Sequence, residues 1–425
     1  LTGRGRYANV LTIDGWRRRS SGQAAPRGGK SRLRNGLGEP ALPEKRSEKR
    51  PDKQPAEQPG RPRGLVSLVE VARRAGVSTA TAGRALGGYG YASRDIRERV
   101  REAATALGYR PNRLARGLIT GRTQTIGVVA GDIESAFYAS AIRSIGDVAR
   151  AGGFGVIVTN SDERPELERE AVELLMEKRV DGIIVSPCDL DRPQHLLDAA
   201  AAGCAVVQID RVADGLAADA VTVDNVGAAR RCVARLLAAG HRAIGFLGEL
   251  ELGYRGDVAS FLALAERGPP EPHALYPSWQ RLLGYLAAHR EAGLPVEPRR
   301  IGRAGAYSVA AARAATLELL ARGPRPTALF TGDGTMSVGA LEAITTLGLA
   351  IPAELSLIGF DDLDWMKFVG PGITAASQPV REMGQAAAEL ILARIGGDGA
   401  PPRHVELPAR LIERRSVAPP AGAVV

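Results

Sequence analysis

Cysteine, histidine, methionine and aromatic residues are all scarce in this chain of 425 residues. Its three cysteines, Cys188, Cys204 and Cys232, are odd in number and far apart in apolar stretches, so neither a disulfide framework nor a zinc site is expected. They read as reduced core thiols. The five histidines, His195, His241, His273, His289 and His404, have no ligand-like spacing, and no metal or cofactor is expected. There is no phosphate-cradling G-x-x-x-x-G-K-S/T, no G-x-S-x-G and no H-E-x-x-H, and the adjacent Asp361 and Asp362 do not make a convergent acid–base pair. An enzyme is therefore not expected. No apolar run approaches the roughly eighteen residues of a membrane span, and the opening sixty residues lack a secretory h-region. A cytoplasmic protein with no membrane partner is expected. The chain begins with Leu1 and its first methionine is Met176. Two readings of the leading segment stay open: a real basic tail, or an extension upstream of a non-AUG start near Val66.

What is present is charge, unevenly distributed. The chain carries +9 overall. Residues 1–63 hold 16 basic against 6 acidic residues and residues 64–122 hold 11 against 4, so the rest is net acidic. A basic front on an acidic body points to a polyanion partner for the front alone. Residues 1–63 are rich in Arg, Gly, Pro, Ser, Lys and Glu, and are expected to be a disordered extension.

Residues 64–110 carry three short helical patterns. Ser67 caps the first, with Leu68, Val71, Ala72 and Ala75 on one face and Gly76 at its end. Ser78 caps a second over Thr79 to Leu86, and Ser93 caps a third bearing Ile96, Val100, Ala103, Ala104 and Leu107. Helix, short turn and helix is the helix-turn-helix arrangement, whose second helix enters the major groove by its N-terminal end. Thr79, Ala80 and Arg84 are then candidates for base edges and Ser78 and Thr81 for phosphates, with Ser67 a further candidate for DNA contact.

From Thr123 strands and helices alternate, as in βαβ units around parallel sheets. Strands are expected at 125–130, 155–160, 181–186, 205–209, 219–223, 243–247, 326–331 and 355–360. The helix-compatible stretches are 137–151, 165–179, 192–202, 224–239, 278–292, 308–322, 333–348 and 380–395. So many units exceed one doubly wound sheet, and two lobes with a ligand cleft between them are expected. The whole is an α/β chain: a small all-α reading head followed by a bilobal core at 123–417. The first lobe is expected over about 123–223 and 380–405, the second over about 224–379 and 406–417, and a disordered tail over 418–425.

The run Val66-Ser67-Leu68-Val69-Glu70-Val71-Ala72-Arg73-Arg74-Ala75-Gly76-Val77-Ser78, continued by Thr81 and Arg84, resembles the lac/gal/purine repressor family of bacterial transcription regulators. So do Ile96-Arg97-Glu98-Arg99-Val100 and Leu107-Gly108-Tyr109-Arg110-Pro111-Asn112, and the resemblance extends to about residue 416. It implies a hinge helix within 111–122, where Asn112, Arg113, Ala115, Arg116 and Leu118 touch the minor groove and Leu118 wedges a base step. So short a helix, weakened by Gly117, would be marginal off DNA.

For the core the resemblance implies a periplasmic-binding-protein-like cleft that takes a small-molecule effector, a sugar or, less readily, a purine. The effector contacts it implies are Phe137, Tyr138, Arg281, Phe330, Asp361 and Gln378, with Asp210-Arg211 and Asp333 as further candidates. Two departures bear on specificity. Ser135-Ala136 stands where the family commonly has Asn-Pro, and Asp333-Gly334 where it commonly has Asn-Asp. The segment 249–280 also exceeds the family norm by about fifteen to twenty residues and reads as a long loop. The expected function is a repressor whose operator affinity is switched by the effector. The expected partners are double-stranded operator DNA and a second copy of the chain, a homodimer. The alternative is a sugar-binding protein of transport or chemotaxis type, which would need export.

Overall fold

The computed structural model describes residues 66–87, 90–109, 122–254 and 256–421. They fall into a small helical unit and a large α/β unit.

In the helical unit, α1 (Leu68–Ala75) starts at a capping box: Ser67 Oγ accepts from the Glu70 amide, and Glu70 accepts from the Ser67 amide at 2.6 Å. Gly76 closes it at φ 65°, a left-handed position that a side chain would strain. Helices α2 (Thr79–Gly87) and α3 (Arg94–Leu107) complete the unit around Val71, Ala82 and Val100, all fully buried. Small residues on the inner faces let three short helices pack closely with few large side chains.

The large unit holds two six-stranded sheets among the described residues. The first lobe contains β1 (Thr125–Ala130), α4 (Ala136–Ala151), β2 (Gly155–Asn160), α5 (Pro165–Glu177), β3 (Gly182–Val185), α6 (Gln194–Ala201), β4 (Ala205–Ile209) and β5 (Asp219–Val223). Beyond it run α7 (Asn225–Ala238), β6 (Ile244–Gly248), α8 (Val258–Arg267), α9 (Pro277–Glu291), β7 (Ile301–Arg303), α10 (Val309–Ala321), β8 (Ala328–Thr331), α11 (Gly334–Thr346), β9 (Ser356–Phe360) and β10 (Thr374–Ser377). Three elements follow: α12 (Val380–Ile395), β11 (His404–Leu407) and β12 (Arg410–Ile412).

The first sheet runs β11-β5-β4-β3-β1-β2, all parallel. The second runs β12-β10-β9-β8-β6-β7, with β12 alone antiparallel. Central strands buried on both faces, such as β3, are continuous apolar runs. Chain passes between lobes after β5, after β10 and after β11, so both sheets present carboxyl ends to the cleft where ligands bind in such folds.

The eight expected strands and the helices after them appear within two residues of their anticipated bounds. Three expectations need correction. The segment 249–280 is not a plain loop: Asp257 Oδ1 accepts from the Ser260 amide at 2.8 Å and caps α8. That helix is held by Tyr254, Phe261 and Trp279, whose rings contact one another at 4.6–5.2 Å. The return to the second lobe comes after Leu407 rather than at 406, because Glu406 and Leu407 pair with β5. The tail is anchored at Ala418, whose carbonyl accepts from His241 at 2.9 Å and whose amide donates to Ser356 Oγ at 3.0 Å.

Candidate functional site: an exposed reading helix and an interlobe cleft

Helix α2 turns Ala82 and Ala85 inward and leaves Thr79, Ala80 and Arg84 exposed. The Ser78 and Thr81 hydroxyls bond each other at 2.8 Å, and Ser78 Oγ accepts from the Thr81 amide at 3.1 Å, which caps the helix N-terminus. Arg84 Nη2 donates to Thr81 Oγ1 at 3.3 Å, along the outer face of the helix. Ser67 is engaged in its capping box, so its hydroxyl serves α1 first. Asn112, Arg113, Ala115, Arg116 and Leu118 lie outside the described residues.

In the core, the first-lobe wall of the cleft is an ion-paired cluster. Arg211 donates from Nη1 and Nη2 to Glu163 at 2.5 and 2.8 Å, a bidentate fork on a side chain only 3% exposed. Tyr138 joins it, its hydroxyl 2.9 Å from Ser186 Oγ and 3.2 Å from Glu163 Oε1. Burial holds the Tyr138 phenol well above its ordinary pKa. Phe137 meets Tyr138 edge to face at 5.1 Å and is half-buried. Asp210 follows β4 in the left-handed region, at φ 71°. Its pKa is raised by burial, with Arg211 and Arg281 opposing.

The second-lobe wall is built on α9, which is buried from Pro277 to Tyr285. Gly284 lets it lie against α7, since a Cβ there would come within 2.2 Å of the Val226 carbonyl. That approach brings Arg281 Nε to Asn225 Oδ1 at 2.9 Å, while Nη1 reaches the Gly332 carbonyl at 2.6 Å. Its guanidinium lies 3.8 Å from the Phe360 ring centre. Phe330 is fully buried between Phe246 and Phe360, so it backs this stack from the core.

Asp361, after β9 at φ 63°, accepts from the Gly334 amide at 3.0 Å and from Gln378 Nε2 at 2.5 Å. Left-handed aspartates thus end a central strand in each lobe; non-glycine residues in this region carry strain that gathers at functional sites. Asp333 caps α11 through Oδ1, and burial, with Asp361 nearby, raises its pKa to about 6.

The sequence-based site residues of the core therefore converge, with Phe330 set one layer back. Several neighbours were not anticipated. Glu163 and Ser186 come from the first lobe, Asn225 and Glu249 from the second. Glu249 is 1% exposed and accepts from the Glu251 and Leu252 amides, and burial raises its pKa to about 7. Tyr307 keeps 37% of its surface exposed, while burial of its hydroxyl and the charges of Asp333 and Glu249 raise its pKa. Tyr276 bridges the lobes: its hydroxyl donates to the Cys188 carbonyl, and Arg211 lies 4.4 Å from its ring centre.

A reading helix on one unit and a two-walled polar cleft in the other define a ligand-responsive DNA-binding regulator. Residues 67–112 match the model of bacterial regulatory proteins of the lacI family, and residues 233–417 match the periplasmic binding protein-like domain. The regulator GalS of Salmonella typhimurium is 34% identical over 83% of this chain and 97% of its own. Catabolite control protein A of Priestia megaterium is 32% identical over 83% of this chain and 99% of its own. The lac repressor dimer bound to operator and the anti-inducer ONPF superposes with a TM-score of 0.69 at 26% identity, covering 84% of this chain and 100% of that one. The chain belongs to the lacI family and is a DNA-binding transcriptional regulator with an effector-binding core.

Among the described residues no helix is long and apolar enough to cross a membrane. The three cysteines are free and buried, and burial raises the thiols of Cys204 and Cys232 to about 11 and 12.

Proposed function

We propose that this regulator is a cytoplasmic homodimeric repressor whose operator affinity is switched by a sugar-like effector bound, without turnover, between the lobes. The observation that carries this reading is the cleft itself. Arg211, Arg281, Asp333, Asp361 and Gln378 converge there, and among the described residues Asp333 Oδ2 and Gln378 Oε1 have no hydrogen-bond partner, while Arg211 Nε lies 3.4 Å from Asp210 Oδ2. Buried polar atoms of that kind are ready to meet a ligand rich in hydroxyls. A cellobiose complex of the regulator CelR superposes at a TM-score of 0.59 and 27% identity, covering 83% of this chain and 99% of that one, and supports the sugar class.

At the DNA, Thr79, Ala80 and Arg84 would read base edges, with Ser78 and Thr81 toward phosphates and Ser67 a further DNA contact. Asn112, Arg113, Ala115, Arg116 and Leu118 would act in the minor groove. One short reading helix gives little specificity, so two copies on a pseudo-palindrome are proposed. The effector would act through its differential affinity for two lobe arrangements.

The test is selection of a binding sequence from random duplexes, followed by anisotropy titrations with and without sugars. Arg84→Ala and Thr79→Ala should each weaken binding by about 1–3 kcal/mol and leave sugar binding intact. Leu118→Ala should reduce specific more than non-specific affinity. Unchanged operator affinity in all three variants would refute the reading of the DNA face.

A further inference from the structure

Three neighbouring strands of the second sheet end in carboxylates at the cleft. The strand order sets β8 between β6 and β9. Glu249 follows β6, Asp333 comes two residues after β8, and Asp361 follows β9. Strands about 4.8 Å apart spread such a row over roughly 10 Å. From the first lobe Asp210 feels the charges of Arg211, its ion-pair partner, and of Arg281, Glu163 and Asp361.

Positive charge does not match this. Arg211 is neutralised by its fork to Glu163, and neighbouring Asp362 is already paired with Arg414 at 2.7 Å. Asp210 shares Arg211 as well, its Oδ2 3.4 Å from Nε, so Arg211 and Arg281 together answer five carboxylates, Glu163, Asp210, Glu249, Asp333 and Asp361. Hydrogen-bond capacity leans the same way. Asp333 is 7% exposed, and its Oδ1 accepts from the Met336 amide while Oδ2 has no partner among the described residues. Gln378 uses its amide nitrogen on Asp361, which leaves Oε1 as an unpartnered acceptor. A carboxylate accepts only, and an ammonium offers three donors and accepts nothing.

We infer that the effector is cationic, a polyol bearing a protonated amine of the amino-sugar class, with its ammonium at Asp333 between Glu249 and Asp361. This rests on the cleft being the effector site. Hydroxyls of the same molecule face Gln378 and Arg281. A phosphorylated or acidic sugar is repelled by the carboxylate row.

Burial raises the carboxyls of Asp333 and Glu249 to about 6 and about 7, with the charge of Asp361 adding to the first and that of Asp333 to the second. Asp361, Arg281, Glu249 and the Tyr307 hydroxyl face Asp333, while Asp333, Ser278 and the Tyr307 hydroxyl face Glu249. A bound ammonium lowers both carboxyls, so binding releases protons and strengthens as pH rises through 6 to 7.

The test is calorimetry on the full chain with glucosamine, galactosamine, mannosamine and the β-1,4 glucosamine dimer, each beside its neutral parent and N-acetyl derivative. At pH 7, where the sugar amine is still mostly protonated, an amine of this set should bind at least about tenfold tighter than both counterparts, with the advantage shrinking at pH 5.5. Asp333→Asn keeps the cap on α11 and should bring amine and neutral sugar to near parity; Glu249→Gln should narrow the gap. A neutral parent or N-acetyl form that binds as tightly as its amine would overturn the inference and leave the sugar-effector reading standing. An amine advantage unchanged in both variants would do the same. Binding by no sugar of any kind overturns both.

Discussion

Glu249 gives a prediction in which charge can be separated from hydrogen bonding. Its Oε1 accepts from the Glu251 and Leu252 amides, and its Oε2 accepts from Ser278 Oγ at 3.3 Å. Glu249→Gln keeps the two backbone bonds and can donate to Ser278, so the main change is loss of ionisation. Burial is the first cause of the raised pKa and Asp333 adds to it; together they take the group from 4.5 to about 7. Because the folded value exceeds the unfolded one, the native state keeps its proton while the unfolded chain gives it up. Stability contributed at low pH is therefore lost as pH rises from 4.5 to 7, by roughly 3 kcal/mol, and stays lost above that. The variant should match the wild type near pH 4 and exceed it by about that amount at pH 8. Urea unfolding of both proteins across this range measures the difference, and pH effects common to both cancel. A gap that does not grow with pH would show that the carboxyl is not buried in the way the bonds to 251, 252 and 278 imply.

Glu163→Ala removes the bidentate partner of Arg211, whose side chain is 3% exposed, and leaves it Asp210 at 3.4 Å, so it should cost about 2–4 kcal/mol. Replacing both partners, Glu163→Leu with Arg211→Met, should recover most of it, and equal losses in single and double variants would argue against the pair. Gly284→Ala pushes α9 away from Val226 of α7 and so breaks the reach of Arg281 to Asn225. Stability should fall by about 1–3 kcal/mol together with effector affinity, and a fall in stability alone would separate the helix crossing from the site. Ser67→Ala should lower the stability of the helical unit by about 1 kcal/mol, read by its thermal transition, with sugar binding unchanged.

Much of the fold was legible because long buried strands and capped helices are local signals. The run Thr125–Ala130 is apolar by necessity, being buried on both faces of a parallel sheet, and Ser93 announces α3 by its own capping chemistry. The strands left unread, β7, β10, β11 and β12, are three or four residues long, too short for a period to register. Helix α8 is different: Asp257 followed by Val258, Phe261, Leu262 and Ala265 at helical spacing was in the sequence. Its neighbours Gly268-Pro269-Pro270 read as loop, and the Tyr254–Trp279 contact that stabilises it has no local signature. The tail at Ala418 was missed for the same reason, since its anchors His241 and Ser356 are distant in sequence.

The cleft divides along the same line. Residues such as Asp210, Arg281 and Asp361 sit at strand ends or helix starts that the pattern locates, so their convergence follows once two parallel sheets face each other. Glu163 looks like an ordinary acid before a solvated helix, and nothing nearby shows that Arg211, 48 residues on, will take both its oxygens. Glu249 likewise gains meaning only from strand order, because β8 must insert between β6 and β9 before Glu249, Asp333 and Asp361 stand in a row. Sequence therefore exposes the groups that an element's own geometry delivers to the cleft. It hides those whose charge is set by partners from other strands, and in this cleft those partners decide how much negative charge a ligand meets.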